Sequence, residues 1–225
     1  MSHSVAGSQA SLFAIVILAA CGGGTTQPPP PPPPPGPAIA AANPSGNEQI
    51  GAPNATLPSP LRVFVGQGGS AVAGRSVDWS VQNGGSVNPA SSTTGADGIA
   101  MTVVTLGAQP VMTISASSGN ATGGPITFVA LAATAAATVQ VANNRFEPQT
   151  IAIRAGGTVS FSWPNGSSQH NLIPDDGRDR PNDPVVRNGP FAVDVVFLTA
   201  GDYFYHCNVH GSTRSGMFGK VVVVP

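Results

Sequence analysis

Residues 205–219 read Tyr205-His206-Cys207-Asn208-Val209-His210-Gly211-Ser212-Thr213-Arg214-Ser215-Gly216-Met217-Phe218-Gly219. Gly201-Asp202-Tyr203-Phe204 leads into this stretch and Lys220-Val221-Val222-Val223-Val224 follows it, so β-forming residues flank a turn rich in glycine and serine. A thiolate at a strand end, followed three residues later by an imidazole, can close on one metal ion. The Gly-rich turn returns Met217 toward the same centre. A second imidazole, His170, stands upstream in Gln169-His170-Asn171-Leu172, just beyond a strand that contains Trp163. Read singly, each residue has an ordinary explanation: Cys207 as a buried inert thiol, the histidines as satisfied surface imidazoles, Met217 as a core methionine. It is their joint occurrence, in this order, that points to a metal centre.

A soft thiolate with two imidazoles and a weak thioether is the ligand set of a trigonal blue-copper site. The His170-Asn171 pair, then Tyr203-x-Tyr205-x-Cys207-x-x-His210, then Gly216-Met217-x-Gly219-x-Val221-x-Val223 resembles the plastocyanin, amicyanin and halocyanin group of cupredoxins over nearly all of residues 138–225. The resemblance implies a Greek-key β-sandwich holding one type 1 copper per chain. His170, Cys207 and His210 would be its equatorial ligands and Met217 its weak axial one, with a backbone oxygen as the alternative fourth donor. It also implies that Asn171 ties the ligand loops together and that electrons leave through His210, set among apolar residues such as Met217 and Phe218. One departure stands out: six residues separate His210 from Met217, where plastocyanin has four.

His206 precedes the candidate cysteine. His-Cys pairs also occur where flanking histidines hold a trinuclear copper cluster, but the four histidines of this chain are too few for one. By period two His206 points opposite to Cys207, outward or toward a neighbouring loop. That makes it a surface residue, with an electron exit path through the Cys207 backbone as its functional alternative. The segment Pro174 to Pro190 mixes Asp175, Asp176, Asp179 and Asp183 with Arg178, Arg180 and Arg187 and reads as a solvated polar loop. The arginines among the aspartates argue against a calcium site.

Two runs of short β-branched segments separated by Gly, Asn and Pro give an all-β chain of two β-sandwich domains, residues 43–132 and 138–225, joined by a bland linker. In the first, Val77, Trp79 and Val81 fall on one strand face, which makes Trp79 a core residue. The order Ala73-Gly-Arg-Ser-Val-Asp-Trp-Ser-Val81, Gly84-Gly-Ser-Val-Asn-Pro89, Thr94-Gly-Ala-Asp-Gly-Ile-Ala100 and Thr105-Leu-Gly107 resembles bacterial immunoglobulin-like repeats of the invasin and intimin type. Such repeats serve as spacers or adhesive modules, and this one contains no His and no Cys.

The apolar segment Leu12 to Ala20 is shorter than the roughly 20 residues a membrane-spanning helix needs and suits a signal peptide over residues 1–20. Its ending, Leu18-Ala19-Ala20-Cys21, resembles the lipobox of bacterial lipoproteins, which makes Cys21 a lipid anchor. A plain signal with an accidental thiol is the other reading, since Met1 to Ser11 contains neither Lys nor Arg. No aspartate follows Cys21, which by the resemblance favours the outer membrane. Residues 21–42, with prolines from Pro28 to Pro35, form an extended spacer at about 3.1 Å per residue.

Charged residues are 8% of the chain and its formal net charge is -1, so a nucleic-acid partner is not expected. The reading is a lipid-anchored electron carrier of the bacterial cell envelope, not an enzyme, exchanging electrons with a cytochrome, an oxidase or a reductase. Copper storage, delivery or sensing is the alternative, and surface adhesion a third.

Overall fold

A computed structural model describes residues 35–225. The signal segment, Cys21 and all but the last of the proline run lie outside the described residues. The described chain is all-β.

Ten strands build the first β-sandwich: β1 (Ala38–Ala41), β2 (Gln49–Gly51), β3 (Leu61–Gln67), β4 (Ser70–Ala71), β5 (Ser76–Gln82), β6 (Ser86–Asn88), β7 (Ser91–Thr93), β8 (Ile99–Thr105), β9 (Val111–Ser117) and β10 (Ile126–Ala132). One sheet runs β1-β3-β8-β6 with β4 added to β3, and the other runs β2-β10-β9-β5-β7. Period-two alternation puts Leu61, Val63 and Val65 of β3 and Val77 and Trp79 of β5 into the core between them. Trp79 is buried against Phe128, its ring 6.1 Å away, and its indole N–H donates to the Ser92 hydroxyl at 2.8 Å. The amphipathic indole thus has both its ring and its polar edge satisfied.

Eight strands build the second: β11 (Thr134–Ala142), β12 (Arg145–Glu147), β13 (Thr150–Trp163), β14 (His170–Pro174), β15 (Asp183–Arg187), β16 (Phe191–Phe197), β17 (Gly201–Ser212) and β18 (Ser215–Val224). They form one sheet in the order β12-β11-β13-β18-β17-β14-β15, with β16 on β13. The long strand β13 changes partners midway: Thr150 to Arg154 run parallel to β18, with Ile153 also opposite Thr134 of β11, and from Gly157 onward the strand pairs with β16 and, after a register shift, again with β11 from Thr158. Gly156, at φ +82, and Gly157 sit at the changeover, where a glycine lets a strand turn a corner of the sandwich. The sheet folds round Val139, Phe146, Phe161, Trp163, Phe197 and Tyr205, all buried.

Several expectations need correction. Residues 150–163 form one continuous strand, because the two glycines bend it without ending it. Residues 38–41, placed in the spacer, form β1 and pair with β3. The supposed linker is mostly β11, and Ala133 alone separates it from β10. Ala133 is buried with Leu131 and Ala152 in a small core between the two sandwiches. The segment 174–190 is no simple solvated loop: β15 lies within it, and Asp175 and Asp183 are 4% and 8% exposed. Asp183 is held by Arg187 at 3.0 Å, so the alternation of signs that reads as solvation is in part internal pairing.

Candidate metal centre

β14 and β17 run antiparallel as neighbours, with Ile173 opposite His206. His170 is the first residue of β14, and Cys207 and His210 lie on β17. In a regular strand residues 207 and 210 would point to opposite faces. The pairing of β17 with β18 breaks its register between His206 and Gly211, and this irregularity lets both side chains converge. Glycine is required at the return: a Cβ on Gly211 would lie 2.6 Å from both the Met217 nitrogen and the Ser215 carbonyl oxygen. Gly211→Ala is therefore expected to push the His210 turn away from β18 at a cost of about 1–3 kcal/mol. Urea unfolding of wild type and variant, with a metal titration of each, checks this; unchanged stability and affinity would refute it.

The Nδ1 atoms of His170 and His210 lie 3.1 Å apart, and each lies 3.8 Å from the Cys207 sulfur. A point equidistant from these three corners is about 2.1 Å from each, within the range of metal bonds to imidazole nitrogen and thiolate sulfur. The donor set and its spacing therefore fit one ion held by two nitrogens and a sulfur. Among the described residues, His170, Cys207 and His210 are the one such cluster of potential ligands. Cys207 is fully buried and His170 is 2% exposed, while His210 is half-buried. Burial, and then the nearby His210, hold the His170 imidazole below its usual pKa, which keeps its lone pair free for a metal at neutral pH.

The three clustered side chains are braced from behind. The indole N–H of Trp163 donates to the His170 carbonyl at 3.3 Å. The Asn171 amide donates to the Asn208 side-chain oxygen at 2.9 Å and to the Pro184 carbonyl at 3.1 Å, and its own oxygen accepts from the Asn208 backbone N–H at 3.0 Å. Asn171 thus ties β14, β15 and the Cys207–His210 turn together. Asn208 completes that exchange and was not singled out from the sequence, where only its place between the ligands could have flagged it. Met217 is 1% exposed and shares the core cluster of Cys207.

His206 is not a surface residue. Its side chain is 13% exposed, and Nδ1 lies 2.6 Å from the carboxylate of Asp175, which is itself buried. The surroundings of His210 also differ from the expectation of an apolar rim. His170 and His210 line a cleft of about 400 Å³ whose other walls include Asn143, Asn144, Asn165, Ser167, Ser168 and Gln169. Among the described residues no Asp, Glu, Lys or Arg lines it. Asn143, Asn144 and Gln169 all have positive φ, so the turns that shape the cleft are held in conformations uncommon for non-glycine residues.

Three solved structures give the context. A mutant plastocyanin of a fern is 23% identical over 39% of this chain and 99% of its own, with a TM-score of 0.33. An amicyanin mutant in the reduced state is 27% identical over 40% of this chain and 82% of its own, at 0.32. A purple cupredoxin from Nitrosopumilus maritimus is 22% identical over 39% and 99%, at 0.33. No protein-family model matches the chain, and no curated protein is significantly similar to it.

Proposed function

We propose that this chain is a copper protein that carries single electrons in the bacterial cell envelope, anchored there by a lipid on Cys21. The convergence of His170 Nδ1, His210 Nδ1 and Cys207 Sγ within one ion's bonding distance carries this reading. Thiolate plus two imidazoles suits copper, and Met217 is assigned as the weak fourth ligand. Bound copper would supply a one-electron couple.

The protein's part is to hold the ligands still and to set the route. Cys207 is fully buried, which keeps water from its sulfur. The Trp163 and Asn171 hydrogen bonds fix His170 and the Cys207–His210 turn, so little has to reorganise when charge changes. His210, half-buried at the cleft, is the ligand nearest solvent and the assigned exit for electrons to a redox protein. With four protein ligands no position is left for a substrate, and we assign no catalytic activity.

One observation favours copper handling as a second reading: the cleft reaches two of the ligands, which would let a copper-accepting molecule approach them. The test of the first reading uses the chain purified in detergent from bacterial membranes and loaded with Cu(II). An intense visible absorption, bleached by ascorbate and restored by air, with membrane association lost on Cys21→Ser, is the expected result. Colourless, weakly held copper that passes readily to a chelator would overturn electron transfer and favour copper handling.

A further inference from the structure

The cleft of about 400 Å³ beside His170 and His210 is walled by two rigid turns. Asn143 and Asn144 are the loop residues of the hairpin that joins β11 to β12, with φ of +52 and +56, the left-handed pair that closes a two-residue hairpin tightly. The second wall is the loop at residues 164–169, pinned through Ser167. Its N–H donates to the Pro164 carbonyl at 3.0 Å and its carbonyl accepts from the Gly189 N–H at 2.7 Å. Its buried hydroxyl donates to the Val141 carbonyl on β11, which fixes the two walls to each other. The cleft is therefore preformed.

Asn143, Asn144, Asn165, Ser168 and Gln169 are exposed along it. Their amides and hydroxyl both donate and accept hydrogen bonds, and none of them carries charge. The charges nearest in sequence are cancelled locally: Arg145 pairs with Glu147 at 2.7 Å, Arg187 with Asp183, and Arg214 with Asp176. Over residues 134–225, Lys and Arg number seven, as do Asp and Glu. Such a surface has no long-range field with which to draw in a charged partner, and a concave face fits a convex one.

We propose that the redox protein meets this chain at the cleft, inserting a protruding, uncharged polar loop that is held by hydrogen bonds and shape, without steering by charge. This inference rests on the electron-carrier reading and adds the chemistry of the partner to it. One electron passes between the copper couple and the docked group; what one loses the other gains, and no bond is made or broken. Neutral amides shed water at less cost than ions do, so contact forms and releases without desolvating a charge. Encounter is then expected at about 10⁵–10⁶ M⁻¹ s⁻¹, the rate of unsteered protein pairs.

The test uses the copper-loaded full chain and two small redox probes of opposite sign, hexacyanoferrate(III) and tris(phenanthroline)cobalt(III), with oxidation of the reduced protein followed by stopped flow. For the wild type, both rates are expected to change by less than about twofold as salt shortens the Debye length from about 30 Å to under about 8 Å. Asn165→Asp should speed the cationic probe and slow the anionic one by roughly three- to tenfold at low salt, Asn165→Lys should do the reverse, and salt should erase both effects. Steep salt dependence in the wild type would overturn the inference, because charge would then govern the approach. Equal rates in wild type and both variants would overturn it as well, because electrons would then pass elsewhere. If the Asn165 variants do not fold, Ser168→Asp and Ser168→Lys are expected to give the same opposed shifts, and their absence is equally fatal. A wild type with no visible absorption, or none that the probes change, overturns this inference and the electron-carrier reading together, whereas a coloured, redox-active wild type whose variants are blind to probe charge overturns this inference alone.

Discussion

Cys207→Ser is expected to abolish the visible absorption of the copper-loaded chain and to lower its Cu(II) affinity more than about a hundredfold, since even outer partners of metal ligands are worth about 10–100-fold. The substitution removes one of the three donor atoms and leaves two imidazole nitrogens 3.1 Å apart, still able to grip an ion but without sulfur. Serine is nearly isosteric, and its hydroxyl is a hard, protonated donor in place of a soft thiolate. Position 207 is fully buried, so the new hydroxyl costs about 1–3 kcal/mol unless it finds a partner. The Gln169 carbonyl, 3.9 Å from the sulfur, is near enough to become one after a small shift. Visible spectroscopy, a copper titration and urea unfolding of the same samples separate loss of the ligand from loss of the fold. A variant that remains coloured would remove Cys207 from the centre.

Trp163→Ala is expected to be the most destabilising single change in the second sandwich, at about 3–5 kcal/mol. The indole is 1% exposed, packs edge-on against Phe191 with ring centroids 5.3 Å apart, and ends the strand whose next turn leads to His170. Truncation opens a cavity and removes the donor from the His170 carbonyl, so stability and metal affinity should fall together. Trp163→Phe retains most of the packing but not the N–H, and should lose about 1 kcal/mol for the hydrogen bond beyond its packing change. Chemical unfolding of the metal-free forms, followed by copper titration, tests both. A Trp163→Ala protein as stable as the wild type would show that this core is not braced through the indole.

The His170–Cys207–His210 cluster could be read because its chemistry is sparse elsewhere: the chain has four histidines and two cysteines, and three of these six fall in this cluster. Trp79 could be read because period two is unambiguous in a strand buried on one side. The Asp175–His206 pair could not. Its partners are 31 residues apart and share no local pattern, and Asp175 sits among other charges that suggest solvent. Strands as short and polar as Arg145–Glu147 carry no alternation to detect, and the glycines at 156 and 157 punctuate the sequence while only bending the strand. The polar cleft was equally hidden, because the Asn143–Asn144 turn that walls it is more than sixty residues from His210. An apolar rim is what the resemblance implies, whereas the polar side chains that share the cleft with His210 come from a different part of the chain.

The place of β18 bears on when the centre comes into being. This last strand is inserted between β13 and β17, parallel to one and antiparallel to the other, so β17 has its neighbour on that side only after residue 215 and beyond have been made. Cys207 and His210 would be synthesised before the strand that aligns them, and a growing chain would present a loose thiol and imidazole, not a shaped trap. On the copper reading, metal capture would wait for the finished polypeptide. A ribosome-stalled chain ending before residue 215 should hold copper no better than an unstructured peptide bearing the same ligands.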